Sequence, residues 1–218
     1  MRPKALIGVV AVLFAVSAGR AILSADRDND NDQGRPGEIH KDDDPRVVVG
    51  FKYAKDQGIK LNLQHKDNEL VGLGSYLVNA VGGCNDCHTA PPYTKDPSIG
   101  LGAPKQINNA CYLAGGTPFG PPPFGLPPGS PVSRDLTPFE NGKPAGLTFD
   151  EFKHVIRTGE DPDNPGQVLL VMPWPVYQTM TDHDLRAIYA YLKAIPHAVP
   201  GTDFGPTCPA PGLAKPGV

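Results

Sequence analysis

Long apolar stretches are missing from this chain of 218 residues. The longest runs from Ala5 to Ala18 and is interrupted at Arg20, short of the roughly 20 residues that a membrane-spanning helix needs. Arg2 and Lys4 precede it, and Val16-Ser17-Ala18 offers small residues for signal peptidase, so residues 1–25 read as an export signal. An uncleaved anchor extending through Ala21-Ile22-Leu23 is the alternative. An excess of positive charge is also missing. The chain has 20 basic against 23 acidic residues, a net charge of −3, and removal of residues 1–18 takes Arg2 and Lys4 with it, leaving −5. A mildly acidic chain argues against a nucleic-acid partner and favours a docking surface for a complementary protein. No internal repeat is visible, and no set of alternating apolar and polar residues builds a sheet; Val47 to Phe51 is the one short candidate strand. Cysteine is scarce at four residues and methionine at three. Few residues can therefore carry sulfur chemistry.

Two of those cysteines stand in Cys84-Asn85-Asp86-Cys87-His88, a C-x-x-C-H pattern. Two thiols at this spacing can reach the two vinyl groups on one edge of a porphyrin, and the histidine immediately after them can ligate its metal, which is the arrangement of a covalently attached c-type haem. A redox-active dithiol, a zinc half-site or two structural thiols would share the C-x-x-C part. His88 tips the balance: the segment before Cys84 is helical and ends in Gly82-Gly83, whereas a dithiol motif of the thioredoxin kind opens a helix after a strand. Zinc would need a second ligand pair, and the remaining cysteines, Cys111 and Cys208, stand alone. A second C-x-x-C-H is absent, so the motif predicts a single haem c. Covalent attachment and stable disulfides both suit an oxidising compartment.

Glycine and proline contribute 25 and 26 residues, so much of the chain is loop. Residues 26–45 carry eight acidic side chains (Asp26, Asp28, Asp30, Asp32, Glu38, Asp42, Asp43 and Asp44) with almost nothing apolar to bury, and read as a solvated spacer. Asp28 to Asp32 lacks the glutamate at the twelfth loop position that a calcium loop of the EF-hand type uses. Three helices are well signalled. Leu70, Leu73, Leu77, Val78 and Val81 form one helical face, with Asp67 or Asn68 to cap it. Gly72 and Gly74 weaken such a helix by about 1 kcal/mol each, which predicts close approach by a crossing element. Thr148 with Glu151 forms a capping box, with Leu147 and Phe152 as a staple and Gly159 as the stop. Thr181 caps a last helix with apolar positions at Leu185, Ile188, Tyr189 and Leu192, ending at Pro196.

A glycine-bearing helix running into C-x-x-C-H, a late methionine and a terminal helix with tyrosines resemble the class I cytochrome c domain. More narrowly, Gly74 to Asn79, Cys84 to Thr89, Asp135-Leu136-Thr137-Pro138, Met172-Pro173-Trp174 and Asp184 to Leu192 are similar to bacterial c-type cytochromes that serve periplasmic dehydrogenases. Asp135, where that group commonly has asparagine, and the proline-rich insertion depart from the pattern. The resemblance implies an all-α fold of three or more helices around one covalently bound haem, with long Pro/Gly-rich loops. It covers about residues 67–198, the expected cytochrome c domain with an insertion at about 99–134, flanked by the signal at 1–25, an acidic spacer and N-terminal extension at 26–66, and a tail at 199–218. It implies an exported, periplasmic electron carrier, more an electron-transfer protein than an enzyme. Its partners would be a dehydrogenase donor and an oxidase or cytochrome acceptor, with membrane contact only if the N-terminal segment stays on.

The ligand opposite His88 decides between a carrier and an iron open to small molecules, as in a haem enzyme or gas sensor. Met180 precedes the cap Thr181 and has a packing role as a staple on Leu185. Met172 lies in the apolar loop Val168 to Trp174 with no such role, and Pro173 stiffens that loop. Met172 is therefore the expected distal ligand. Trp174 and Tyr177 are candidate donors to haem propionates or buried aromatics. His154 reads as a surface residue, and His183, beside Asp182 and Asp184 in a first turn, as a partner in local charge pairing. Gly120 to Pro131, with six prolines in twelve residues, reads as a rigid cover over one haem edge or an inert loop. Cys111 and Cys208 are expected to pair.

Overall fold

The computed structural model describes residues 44–95, 106–120 and 131–198. The export segment, Asp28 to Asp32, most of the proline-rich segment, the tail and Cys208 lie outside the described residues. Among those described, six α-helices account for nearly all regular structure: α1 (Pro45–Asp56), α2 (Asn68–Tyr76), α3 (Cys84–His88), α4 (Phe149–Thr158), α5 (Trp174–Tyr177) and α6 (Asp182–Ala194). The only ladder among the described residues is a short antiparallel pair, β1 (Tyr93–Lys95) with β2 (Gln106–Ile107). None of these helices is long and apolar enough to cross a membrane.

The helix signals in the sequence resolve as expected. Asp67 accepts a hydrogen bond from the Leu70 amide at 3.0 Å and starts α2. Thr148 and Glu151 complete the reciprocal capping box of α4, and Gly159 ends that helix in the left-handed region at φ 71°. Thr181 caps α6 through the Asp184 amide at 3.0 Å. Each such cap contributes about 1 kcal/mol.

Residues 45–56 correct the expectation of a strand at Val47 to Phe51 and of a spacer reaching Pro45. They form α1, with Pro45 in the first turn and Asp44 accepting from the Arg46 amide at 2.8 Å. The physical reason is a helical rather than alternating stripe: Val47, Gly50 and Ala54 are the buried positions, spaced three and four apart as one helical face requires. The last aspartate of the charged run acts as a cap because a helix begins directly after it.

Helix α2 lies between α1 and α6, and its glycines face both. A Cβ on Gly72 would stand 2.6 Å from Val47 Cγ1 and 2.7 Å from Phe51 Cε2 of α1. One on Gly74 would overlap the Ala187 carbonyl oxygen of α6 and stand 2.6 Å from Tyr191 Cβ. The crossing that the two glycines predict is thus a double one. Gly50 of α1 completes it from the other side, since a Cβ there would come within 2.9 Å of the Tyr76 amide nitrogen. Ser75 donates its hydroxyl to the Gly50 carbonyl at 2.8 Å, so the closest α1 approach also carries a buried hydrogen bond.

Beneath this crossing Tyr112, Tyr191 and Asn79 form a buried polar network. The Tyr112 hydroxyl donates to Asn79 Oδ1 at 2.6 Å and lies 2.9 Å from the Tyr191 hydroxyl, and Asn79 Nδ2 donates to the Ser75 carbonyl at 2.8 Å. Burial pushes the Tyr191 phenol up to about 12, so both tyrosines stay neutral and act as donors and acceptors. The network fixes the register of α6 on α2, because a polar group left unpaired at this depth would cost about 1–3 kcal/mol.

Candidate cofactor site

After Tyr76 the helix widens: the Gly82 amide donates to the Leu77 carbonyl at 2.7 Å, five residues back, instead of four. Gly83 then takes a left-handed conformation at φ 58°, which a side chain would strain, and the chain turns into α3. This single turn of helix is the C-x-x-C-H segment itself. The Asp86 amide donates to the Gly83 carbonyl and the Thr89 amide to the Asn85 carbonyl, so Cys84 and His88 are spaced by one turn.

Cys84 and His88 open onto an apolar crevice, the kind of concave, largely apolar space in which cofactors bind. Leu77 and Val78 from the widened helix, Phe152 and Ile156 from α4, and Leu185, Ile188 and Leu192 from α6 supply its walls. Leu136, Met172 and Met180 from the loops and Tyr177 from α5 close it. All three helices signalled in the sequence therefore contribute a face to one space. Leu185 and Leu192 are completely or almost completely buried, each stabilising the fold by about 1.5–3 kcal/mol.

The His88 ring is oriented from behind. Its Nδ1 lies 2.7 Å from the Arg134 carbonyl oxygen, which fixes Nδ1 as the protonated nitrogen and leaves Nε2 as a lone pair. Burial lowers the imidazole pKa, only partly offset by the Arg134 carbonyl, so the ring is neutral, the form that binds metal. The thiols move the other way: burial pushes Cys84 up to about 12 and raises Cys87 as well. Neither has the depressed value on which dithiol exchange depends. Among the described residues no group of three or more His, Cys, Asp or Glu side chains gathers as a metal cluster. An apolar crevice with one oriented neutral imidazole and thioether sulfurs in its lining suits, by its donor set, an apolar cofactor carrying iron.

Met172 and Met180 both reach the crevice wall, so the packing role expected of Met180 does not remove it from the site. Tyr177 spends its hydroxyl proton on the Gly82 carbonyl at 2.8 Å, which ties α5 to the turn before Cys84. Trp174 rests on Gly159. His154 is exposed and pairs with Glu160 at 2.7 Å, as a surface histidine would.

Arg134 was not legible as a site residue. Its carbonyl serves His88, while its guanidinium donates to the Ala145 carbonyl at 2.8 Å and pairs with Asp163. Asp135 beside it is 6% exposed, receives the Thr137 amide at 2.7 Å, and has no hydrogen-bond partner for Oδ2 among the described residues. Burial pushes its carboxyl up to about 6. The proline-rich insertion is closed at its base by the Phe119 amide on the Pro131 carbonyl at 3.2 Å and the Ser133 amide on the Thr117 carbonyl at 2.9 Å.

Comparison with known proteins adds the remaining observation. The chain is similar to cytochrome c subunits of dehydrogenases. It is 29% identical over 126 residues to the gluconate 2-dehydrogenase cytochrome c subunit of Pantoea cypripedii, covering 57% of this chain and 23% of that protein. It is 31% identical over 126 residues to the alcohol dehydrogenase (quinone), cytochrome c subunit of Gluconacetobacter polyoxogenes, covering 57% and 22%. With the fructose dehydrogenase cytochrome subunit of Gluconobacter japonicus it shares 26% over 122 residues, covering 56% and 20%. The chain thus spans less than a quarter of the length of these relatives. No family model matches, and no solved structure matches.

Proposed function

We propose that this chain is an exported class I c-type cytochrome with one haem, which passes single electrons between protein partners. The observation that carries this reading is the folding of C-x-x-C-H as one helical turn on the wall of an apolar crevice, with an oriented neutral imidazole and two methionine thioethers around the same space. Cys84 and Cys87 would hold the haem through thioethers, His88 would ligate iron through Nε2, and Met172 would complete the coordination. When bound, haem supplies the one-electron Fe(III)/Fe(II) couple. The chain's own contribution is threefold: the Arg134 carbonyl aims the imidazole, the apolar walls exclude water, and a histidine with a thioether raises the potential. The names of the similar proteins point to the donor, a dehydrogenase oxidising an alcohol, sugar or sugar acid; the acceptor would be a terminal oxidase or another cytochrome.

The absorption spectrum of the reduced protein with and without carbon monoxide tests this. A carrier with both axial positions filled leaves the spectrum unchanged, and full conversion by carbon monoxide would replace the carrier with an open-site haem enzyme or gas sensor. Met172→Ala is expected to lose the weak near-infrared sulfur-to-iron band and to admit carbon monoxide. The same loss in Met180→Ala, with Met172→Ala unchanged, would move the distal ligand to Met180.

A second expectation concerns Cys111, which is 1% exposed. It is the natural partner for Cys208, since these two are what remains after the haem cysteines. A bond between them would close a loop of roughly 100 residues, for which the loop-entropy account gives about 4–5 kcal/mol, with less expected because the haem already cross-links the core. Reduction is then expected to lower the thermal midpoint and leave the visible spectrum intact. Alkylation of both cysteines in the unreduced protein would refute the pairing.

A further inference from the structure

The segment between α4 and α5 has little burial of its own. Val168 is 50% and Leu170 81% exposed, and Val176 just beyond is 70% exposed. Met172 nevertheless turns inward to the crevice wall. A neutral thioether is a weak ligand and works only where it is held within about half an ångström of its place. The loop must therefore be fixed by a small number of ties.

Those ties converge on Gly159. The Leu169 amide donates to the Gly159 carbonyl at 2.8 Å, and Glu160 pairs with Val168 as an antiparallel bridge. Gly159 is left-handed at φ 71°, and a Cβ placed on it would overlap the Trp174 indole and stand 2.5 Å from its Cδ2. The indole lies directly against bare backbone at the end of α4, one turn beyond Ile156, which faces the crevice. On its other side the Trp174 amide donates to the Met172 carbonyl at 2.8 Å, and Pro173 between them has a fixed φ. A displacement of the indole is passed to Met172 through this tight turn.

We propose that Trp174, seated on Gly159, is a positioning residue that registers the Met172 sulfur against the α4 wall of the crevice, a role that rests on Met172 being the distal ligand. The glycine is required at that place twice over, for its backbone angle and for the room the indole occupies.

The holoprotein variants Trp174→Ala, Gly159→Ala, their combination and Met172→Ala test it, read by the near-infrared band and carbon monoxide binding, with haem staining as the control for attachment. Trp174→Ala is expected to keep its covalent haem, weaken the near-infrared band at least tenfold, and raise the fraction of reduced protein that binds carbon monoxide at least tenfold. Gly159→Ala should do the same, and the combination should match Trp174→Ala in band and carbon monoxide binding, because the added methyl then meets no indole, while its thermal midpoint falls further through the strained backbone angle that remains. Trp174→Ala carries no backbone strain and decides the matter if Gly159→Ala does not fold. If Met172→Ala loses the band while Trp174→Ala keeps it, with only a lower thermal midpoint, the clamp is overturned and the ligand assignment stands. If Met172→Ala keeps the band, the ligand assignment fails and the clamp with it.

Discussion

Alanine at both Cys84 and Cys87 is expected to reduce haem staining of the denatured protein from full to background. The two bonds proposed at these sulfurs are covalent and do not depend on folding, so in the unaltered protein the haem stays with the chain in denaturant. Without them the crevice retains only apolar contacts and axial ligands, all of which denaturant releases. Either single variant keeps one thioether and should retain partial staining. Because Cys84 is packed into the crevice wall, the double variant also loses sulfur contacts, so the gel is run on matched amounts of protein. Normal staining of the double variant would refute covalent attachment. Absence of staining from the unaltered protein would favour free thiols, and the raised Cys84 and Cys87 pKa values would then make them structural rather than redox-active.

The largest expected effect on stability comes from one methyl group, at Gly74→Ala. In an exposed helix this change stabilises by about 1 kcal/mol through propensity. Here the added Cβ would overlap the Ala187 carbonyl oxygen, with the Ala187 carbonyl carbon and Tyr191 Cβ both 2.6 Å away. These are backbone and near-backbone atoms, which cannot rotate aside, so α2 and α6 must separate. Separation loosens the buried contacts of Leu73 and Ala187 and strains the Tyr112–Tyr191–Asn79 network. Overpacking costs of about 3 kcal/mol or more outweigh the propensity gain. Denaturant unfolding should show a much lower midpoint with little change of slope. A midpoint equal to or above that of the unaltered protein would show that the crossing is looser than described.

Local signals made much of this architecture readable. The caps at Asp67, Thr148 and Thr181 and the stop at Gly159 depend on residues within one turn, and they fell where the sequence put them. Gly72 and Gly74 announced a close crossing because their helical cost had to be compensated, although the sequence could not say that two different helices would use them. Helix α1 was obscured by the acidic run before it, which hid an apolar face of only Val47, Gly50 and Ala54. Of the site, C-x-x-C-H was legible since its chemistry lies in five adjacent residues. Arg134 was not, because it serves His88 with a backbone carbonyl that any residue type could supply. The place of Met180 before a cap signals packing alone, yet the fold brings it to the same crevice as Met172, a juxtaposition set by tertiary structure.

The placement of α2 between helices from opposite ends of the described chain bears on the order of assembly. Asn79 and Tyr191, joined in the buried network, are 112 positions apart, so their meeting carries a large loop-closure cost and comes late relative to local helix formation. Until α6 docks, the space beside Cys84 and His88 lacks the wall made by Leu185, Ile188 and Leu192 and is an open trough. The wall that would close over a cofactor is thus the one held by a contact of long sequence separation, while the C-x-x-C-H turn on the opposite side depends on neighbours in sequence alone.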